Sequence, residues 1–151
     1  DIGTQESLMI NPEKFRKYIK PMFREVFQTC RKAGAHVYFS SDGNLLSIID
    51  DLIECGISMH DPQLGAAKLE GIEQHYKGKV CIRLDLDRQM FGFSKPEDLR
   101  SQVEECIDKL YTPEGGLMLL ASISDDITPL ENIEALCEAM QDLCLGNASS
   151  T

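Results

Sequence analysis

The sequence predicts an α/β fold in which one helix precedes four parallel strand–helix units, half of a (β/α)8 barrel. Three observations carry this expectation. Short apolar runs alternate with segments whose apolar residues recur at helical spacing. No long linker interrupts the alternation, so the 151 residues read as one domain. Polar residues gather after each apolar run, whereas the connections leading into the runs (AGAH, ECGI, KGK, TPEGG) are mostly tight turns. The carboxyl ends of parallel strands in right-handed β/α units lie on one face, so this asymmetry sets a functional face against a plain one.

Asn11-Pro12-Glu13 opens the first helix with a capping asparagine, a first-turn proline and an acid. Phe15, Tyr18, Ile19, Met22, Phe23, Val26 and Phe27 recur at helical spacing through to Cys30; Pro21 is expected to bend the helix and Ala33-Gly34-Ala35 to end it. His36-Val37-Tyr38-Phe39 is the first strand. A helix from Leu45 to Cys55 closes on Gly56, and Ile57-Ser58-Met59 is the second strand. The next helix runs from about Ala66 to Tyr76, and Lys79 to Leu84 is the third strand. Ser94, with Pro96 close behind and Glu97 three residues on, starts a helix whose apolar face is Val103, Cys106, Ile107 and Leu110. Leu117 to Ala121 is the fourth strand, and Pro129-Leu130-Glu131 opens a last helix ending near Leu145-Gly146. Residues 1–146 form the domain, and 147–151 read as a frayed tail.

Composition narrows the classes. The chain is 42% hydrophobic and 26% charged, as globular domains are. No apolar run is long enough to span a bilayer, and no signal peptide is visible. A net charge of −10 argues against nucleic acid as a partner, because phosphate contacts need clustered Lys or Arg. The basic residues between Lys14 and Lys32 fall at helical spacing and read as a solvated helix face. Six cysteines without a CxxC pair, most inside apolar segments, suit reduced, buried thiols of a cytoplasmic protein, where the sequon at Asn147 carries no meaning. A start at Asp1, without Met and inside a polar turn, reads as a piece of a longer protein.

The four strands end in Ser40-Ser41-Asp42-Gly43-Asn44, His60-Asp61-Pro62-Gln63, Asp85-Leu86-Asp87-Arg88-Gln89 and Ser122-Ile123-Ser124-Asp125-Asp126. Helix capping explains part of this polarity. It does not explain His60, Arg88 or Gln89 beside carboxylates, so a ligand-facing rim is expected. The candidate catalytic residues are Asp42, His60 and Asp87, with Asp42 or His60 as proton acceptor or ligand. Ser40, Asn44, Gln63, Asp85, Arg88 and Ser122 are the candidate substrate contacts. Arg88 is either an anion clamp or the ion-pair partner of Asp87. If Asp42, His60, Asp61, Asp85 and Asp87 converge, their donors suit Mn²⁺, Mg²⁺ or Zn²⁺; the alternative is hydrogen bonding within the rim, and no metal ligand is assigned. His36 reads as a satisfied, partly exposed side chain, and His75 as a helix-end cation.

The order Asp1-Ile2-Gly3-Thr4-Gln5, Asn11-Pro12-Glu13-Lys14-Phe15 with Pro21 downstream, Gly43-Asn44, Asp61-Pro62-Gln63, Lys95-Pro96-Glu97-Asp98 and Pro129-Leu130-Glu131-Asn132-Ile133 resembles the uroporphyrinogen decarboxylase superfamily, which also holds corrinoid-dependent methyltransferases. The resemblance runs from Asp1 to about Cys144 and covers the C-terminal half of that family's barrel. It implies a (β/α)8 fold and a tetrapyrrole or other small-molecule substrate. The decarboxylases use no metal or cofactor. The methyltransferase branch works with a corrinoid partner and binds a zinc ion that makes a substrate thiol a thiolate. Where that branch reads His-x-Cys-Gly-Asn, this chain has Ser40-Ser41-Asp42-Gly43-Asn44, and its last Cys is replaced within Ser122-Ile123-Ser124. Ser hydroxyls are poor zinc ligands, so the usual zinc site is not expected. The His that decarboxylases carry after the final strand is also replaced, by Ser122 or Ile123. The resemblance therefore implies a decarboxylase or corrinoid-linked methyltransferase without the usual zinc ligands, inactive as an isolated half; the alternative is a non-catalytic binding or assembly module. A half barrel leaves two bare edges, so self-association is expected, edge to edge or through exposed apolar faces.

Overall fold

Four strands lie side by side in the order β1-β2-β3-β4, each parallel to its neighbour: β1 is Tyr38–Phe39, β2 Met59–His60, β3 Cys81–Asp85 and β4 Leu117–Leu120. The computed structural model describes residues 1–123 and 126–145. The expected tail, and Ser124 and Asp125 of the last strand-end loop, lie outside the described residues. The strands alternate with helices α3 (Ile49–Cys55), α4 (Leu64–Ala67), α5 (Leu69–Tyr76), α6 (Arg88–Phe91), α7 (Pro96–Leu110) and α8 (Leu130–Leu145). The expected α/β half barrel is thus the observed architecture.

Register and alternation divide the strand residues between two faces. Phe39, His60, Ile82 and Leu117 lie side by side across the sheet. Phe39 meets Phe23 and Phe27 of the first helix, and His60 meets Tyr76 of α5, so this set faces the helices. Ile82 and Leu84 are buried there against Leu52, Ile72, Leu99, Val103 and Leu110, the inward stripes of three helices. Tyr38, Met59, Cys81, Arg83, Asp85 and Met118 occupy the other face, which in a closed barrel is the interior.

The first helix has three parts: α1 (Pro12–Lys14), a π-helical segment (Phe15–Ile19) and α2 (Lys20–Lys32). The Asn11 side chain caps it, accepting from the amides of Glu13 at 2.8 Å and Lys14 at 3.3 Å. Pro21 has no N–H to give the carbonyl of Lys17, and its ring crowds that carbonyl. The wider turn, closed by Lys20 N–H on the Phe15 carbonyl, relieves the conflict without breaking the helix.

Several boundaries differ from expectation. The second strand reaches one residue further, which places His60 in the sheet instead of the loop. The segment expected as one helix from Ala66 breaks at Lys68, the one described non-glycine residue with positive φ (58°), so α4 and α5 meet at a corner. A short helix, α6, follows β3, capped by Asp87. Helix α7 is capped one residue later than expected: Lys95 is extended, and its N–H is accepted by Asp98 at 3.2 Å. Ser94 instead ends the preceding turn, its N–H on the Met90 carbonyl at 2.9 Å. All six cysteines are free, yet Cys137 and Cys144 are exposed. They line the groove between α8 and β4.

Asn132, in the first turn of α8, is buried and donates to the carbonyls of Phe91 at 2.7 Å and Ser94 at 2.9 Å. It ties the last helix to the connection between α6 and α7. Asn132→Ala is expected to lower the unfolding free energy by about 2 kcal/mol, because it leaves two carbonyls without their donor. Equilibrium urea denaturation measures this, and a change below about 0.5 kcal/mol, typical of surface sites, would show that the tie is unimportant.

Candidate functional site

The loop after β1 is mostly internal bracing. The Ser41 hydroxyl accepts from Ile2 N–H at 3.0 Å, Asp42 N–H donates to the Asp1 carboxylate at 3.0 Å, and Asn44 N–H donates to the Thr4 carbonyl at 2.7 Å. Gly43 adopts φ 93°, and a Cβ there would sit 2.5 Å from the Gly3 carbonyl carbon, so only glycine allows the two backbones to cross. The Asn44 side chain accepts from Leu46 N–H at 3.1 Å and donates to the Ala66 carbonyl at 3.3 Å. Asn44, expected as a substrate contact, is a brace. Gln63 is the hub: its buried Oε1 accepts from Gly43 N–H at 3.0 Å and from Gln5 Nε2 at 3.3 Å.

A charged cluster lines the inner face of the sheet. The Asp61 carboxylate accepts from the Tyr38 hydroxyl and from the Ser40 hydroxyl at 2.9 Å. Arg83 lies 3.8 Å from Asp61 and donates to the Tyr38 hydroxyl at 3.2 Å. The Ser40 hydroxyl is thus engaged by Asp61.

Beside it, a polar cavity of about 130 Å³ opens at the strand ends, lined by Gln5, Gln63, Lys68, Asp85, Arg88 and Gln89 among others. Arg88 pairs with Asp85 at 3.3 Å and with Asp42 at 4.0 Å. It does not pair with Asp87, whose carboxylate caps α6 by accepting from Gln89 N–H at 3.1 Å. Asp85 is buried, and one carboxylate oxygen has no partner among the described residues. Burial first, then the nearby charges of Asp42 and Asp61, raise its pKa above the ordinary carboxylate range, against the pull of Arg88 and Arg83. Lys68 reaches the same cavity from the corner between α4 and α5, where its backbone (φ 58°, ψ 151°) is one that L-residues rarely hold.

His60 is elsewhere. Its ring is fully buried, stacked on Phe39 with centroids 5.8 Å apart and tilted against Tyr76 at 5.6 Å. Neither ring nitrogen has a partner among the described residues, and burial pulls its pKa down from 6.5 to about 4. The expected grouping of Asp42, His60 and Asp87 is not formed: Asp42 is exposed at the mouth, Asp87 both caps α6 and lines the cavity, and His60 faces the helices. Ser122 follows β4 half-buried. His36 is exposed beside Arg31, and His75 lies 3.8 Å from Asp50. Among the described residues no three His, Cys, Asp or Glu side chains converge as metal ligands. Ser40 and Asp42, which the resemblance sets where the methyltransferase branch has zinc ligands, are engaged with Asp61 and Arg88 and offer oxygen donors, which do not fit a thiolate-rich zinc site.

Sequence reasoning missed Tyr38, Arg83, Lys68 and Gln5. Arg83 carried a signal: in CIRLD it alternates with Ile82 and Leu84, which puts a cation on the inner face. Lys68 carried none, because its position depends on a helix break.

Parallel β/α units with a polar mouth at their carboxyl ends define a barrel-type α/β protein. The family model described as Uroporphyrinogen decarboxylase (URO-D) matches residues 2–143. The chain belongs to the uroporphyrinogen decarboxylase family. Among solved structures, a methyltransferase from Methanosarcina mazei is similar at a TM-score of 0.62 and 18% identity, over 89% of this chain and 38% of that one. The likeness is one of fold, and the chain spans about 38% of the methyltransferase's length. No curated protein matches the chain.

The state of His60 makes stability depend on pH. The folded imidazole stays neutral to about pH 4, whereas the unfolded one takes a proton near 6.5. Between these values the unfolded state binds more protons, so this contribution is fully present above pH 6.5 and is lost as pH falls toward 4. The loss is on the order of 3 kcal/mol. Urea midpoints from pH 7 to 4 should show it, and His60→Phe should flatten the slope; an unchanged slope would place the titration on other groups.

Proposed function

We propose that this chain supplies the C-terminal part of the substrate mouth of a uroporphyrinogen decarboxylase-like enzyme acting on a carboxylate-bearing small molecule, with the tetrapyrrole acids as the family's model. The observation that carries this reading is the cavity beside Asp85, with cations from two separate elements, Lys68 and Arg88, on its wall. Arg88 is held by Asp85 and Asp42 yet remains partly exposed, so its guanidinium edge is available to a carboxylate. Lys68 is exposed, makes no ion pair among the described residues, and adds a point charge.

Asp85 is the group best suited to handle a proton. When a substrate carboxylate leaves as CO₂, the electron pair of the broken C–C bond stays on the substrate carbon, and that carbon takes a proton. A carboxyl whose burial favours its protonated form delivers one and regains it from water at the mouth. Methyl transfer with a corrinoid partner is the other activity the family suggests. It is the weaker reading here, because Ser40, Asp42 and Ser122 supply no thiolate for a zinc-bound thiol mechanism. As a non-catalytic module, the alternative, the same cavity would bind without turnover. A cytoplasmic setting goes with the proposal: the six thiols are unpaired, and no described helix is long and apolar enough to cross a membrane.

Lys68 separates binding from stability. Lys68→Gly removes the cation and relieves the backbone, so it is expected to raise stability by about 1 kcal/mol while weakening affinity. Arg88→Ala is expected to weaken binding of a tetrapyrrole polycarboxylate by about tenfold, read by calorimetric titration. If both variants bind as the parent does, the cavity is not the substrate site.

A further inference from the structure

Gln63 stands where the backbone crossing meets the mouth, and the two ends of its amide have different tasks. The residue is 8% exposed. Its Oε1 accepts from Gly43 N–H at 3.0 Å and from Gln5 Nε2 at 3.3 Å. A backbone N–H can only donate, so the atom against Gly43 is the oxygen, and the orientation of the amide follows. Nε2 is left over. It has no acceptor among the described residues, although Gln63 lines the cavity of about 130 Å³.

The backbone sets where this nitrogen reaches. Gln63 is the bridge partner of Asp85 in parallel register, with Asp85 N–H on the Pro62 carbonyl at 3.2 Å. Paired residues on neighbouring strands turn their side chains to the same face, so the Gln63 amide and the Asp85 carboxyl stand side by side on the cavity wall. They do not bond to each other. Asp85 keeps one oxygen without a partner among the described residues, and Gln63 keeps both N–H groups of Nε2. Two unmet polar groups at adjacent positions thus open on one small space.

The chemistry of that space is one-sided. Nε2 offers only donors, as does the Arg88 guanidinium on the same wall. Asp85 adds a donor when protonated, the form its burial favours. A ligand group that accepts from all three is a carboxylate. The corresponding carboxamide turns an NH₂ toward one of these donors and leaves it unpaired. The cavity is smaller than pockets that enclose a whole drug-sized ligand, so it takes one arm of a larger molecule.

We propose that Gln63 is a specificity-determining residue of the mouth: its fixed amide nitrogen donates to an ionised carboxylate arm of the substrate, beside Asp85 and Arg88, and discriminates against the corresponding amide. The inference rests on the reading of the mouth as a carboxylate site. Gln63, Asp85 and Arg88 belong to or follow the two inner strands, β2 and β3, which have neighbours from this chain on both sides.

Gln63→Glu tests this without undoing the crossing, because a carboxylate oxygen still accepts from Gly43 and Gln5 while the atom facing the cavity becomes an acceptor. Gln89→Glu puts the same charge on the same wall and controls for charge alone. In calorimetric titration with a tetrapyrrole polycarboxylate, Gln63→Glu is expected to weaken binding about tenfold more than Gln89→Glu does, and to lose most of the parent's preference over the amidated tetrapyrrole. In the parent chain, the side-chain amide proton–nitrogen correlations of Gln63, assigned through its own backbone, are expected to shift at saturation with the polycarboxylate; this readout does not need the variant to fold. Equal losses in the two variants, or Gln63 amide signals that stay in place, overturn the proposal and leave the nitrogen to water only. If Arg88→Ala still weakens binding under either of those results, the mouth remains a carboxylate site without Gln63. A parent chain that binds no polycarboxylate overturns both readings.

Discussion

The mouth of this half barrel depends on one backbone crossing. Gly3 and Gly43 pass so closely that a Cβ on Gly43 would lie 2.5 Å from one backbone carbon and 2.6 Å from the Thr4 carbonyl oxygen. Asn44 N–H locks the crossing on Thr4, and Gln63 joins it from the next strand end by accepting from both Gly43 and Gln5. The segment before the first helix is thus bound to two strand ends at once, and Gln5 is carried to the cavity wall. The close approach has no tolerance for a side chain, so the position of the first strand-end loop follows from steric exclusion as much as from attraction.

What the crossing positions is a set of charges kept close to apolar surroundings. A buried carboxylate without partners is unstable, and the sheet's inner face answers this with alternating signs. Asp61 is met by Tyr38, Ser40 and Arg83, and Asp85 by Arg88. Compensation is nevertheless incomplete: among the described residues, each of the two carboxylates keeps one oxygen buried and unpartnered. Unmet hydrogen-bonding capacity at a cavity wall is where a ligand gains most, because its polar groups replace partners the protein does not supply. His60 shows the opposite design. Its two unpartnered nitrogens are sealed between aromatic rings, where they can only depress the affinity for a proton.

Much of this was legible in the sequence, and the rest was hidden for identifiable reasons. Asn11, Gly56 and the apolar periodicity of Val103, Cys106 and Leu110 act through local geometry, so their roles could be read directly. The polar face at the strand ends followed from the alternation of elements. His60 was misplaced because a one-residue extension of a strand turns a loop side chain into a sheet side chain, and strand ends are where pattern is weakest. Asp87 and Arg88 are adjacent in sequence, yet helix capping takes the first and a residue three positions earlier takes the second. The corner at Lys68 breaks a run that has good helical periodicity, and that pattern alone gives no sign of the break.

The open side of the half barrel and the chemistry of its mouth are one problem in electrostatics. Tyr38 and Met118, at the two edges of the inner face, are 45% and 44% exposed, so water reaches the cluster around Arg83 and Asp85 from the side as well as from above. Covering that side with any further strand–helix units removes this water. The effective dielectric constant falls, and each unit of burial weighs more against an ionised carboxyl. Asp85 already leans toward its protonated form through burial, so closure pushes it further in the same direction, while the pairs that hold Asp61 gain strength. The protonation balance of Asp85 therefore depends on whatever occupies the two edges, and a mutation far from the cavity that opens an edge acts on Asp85 through solvent alone.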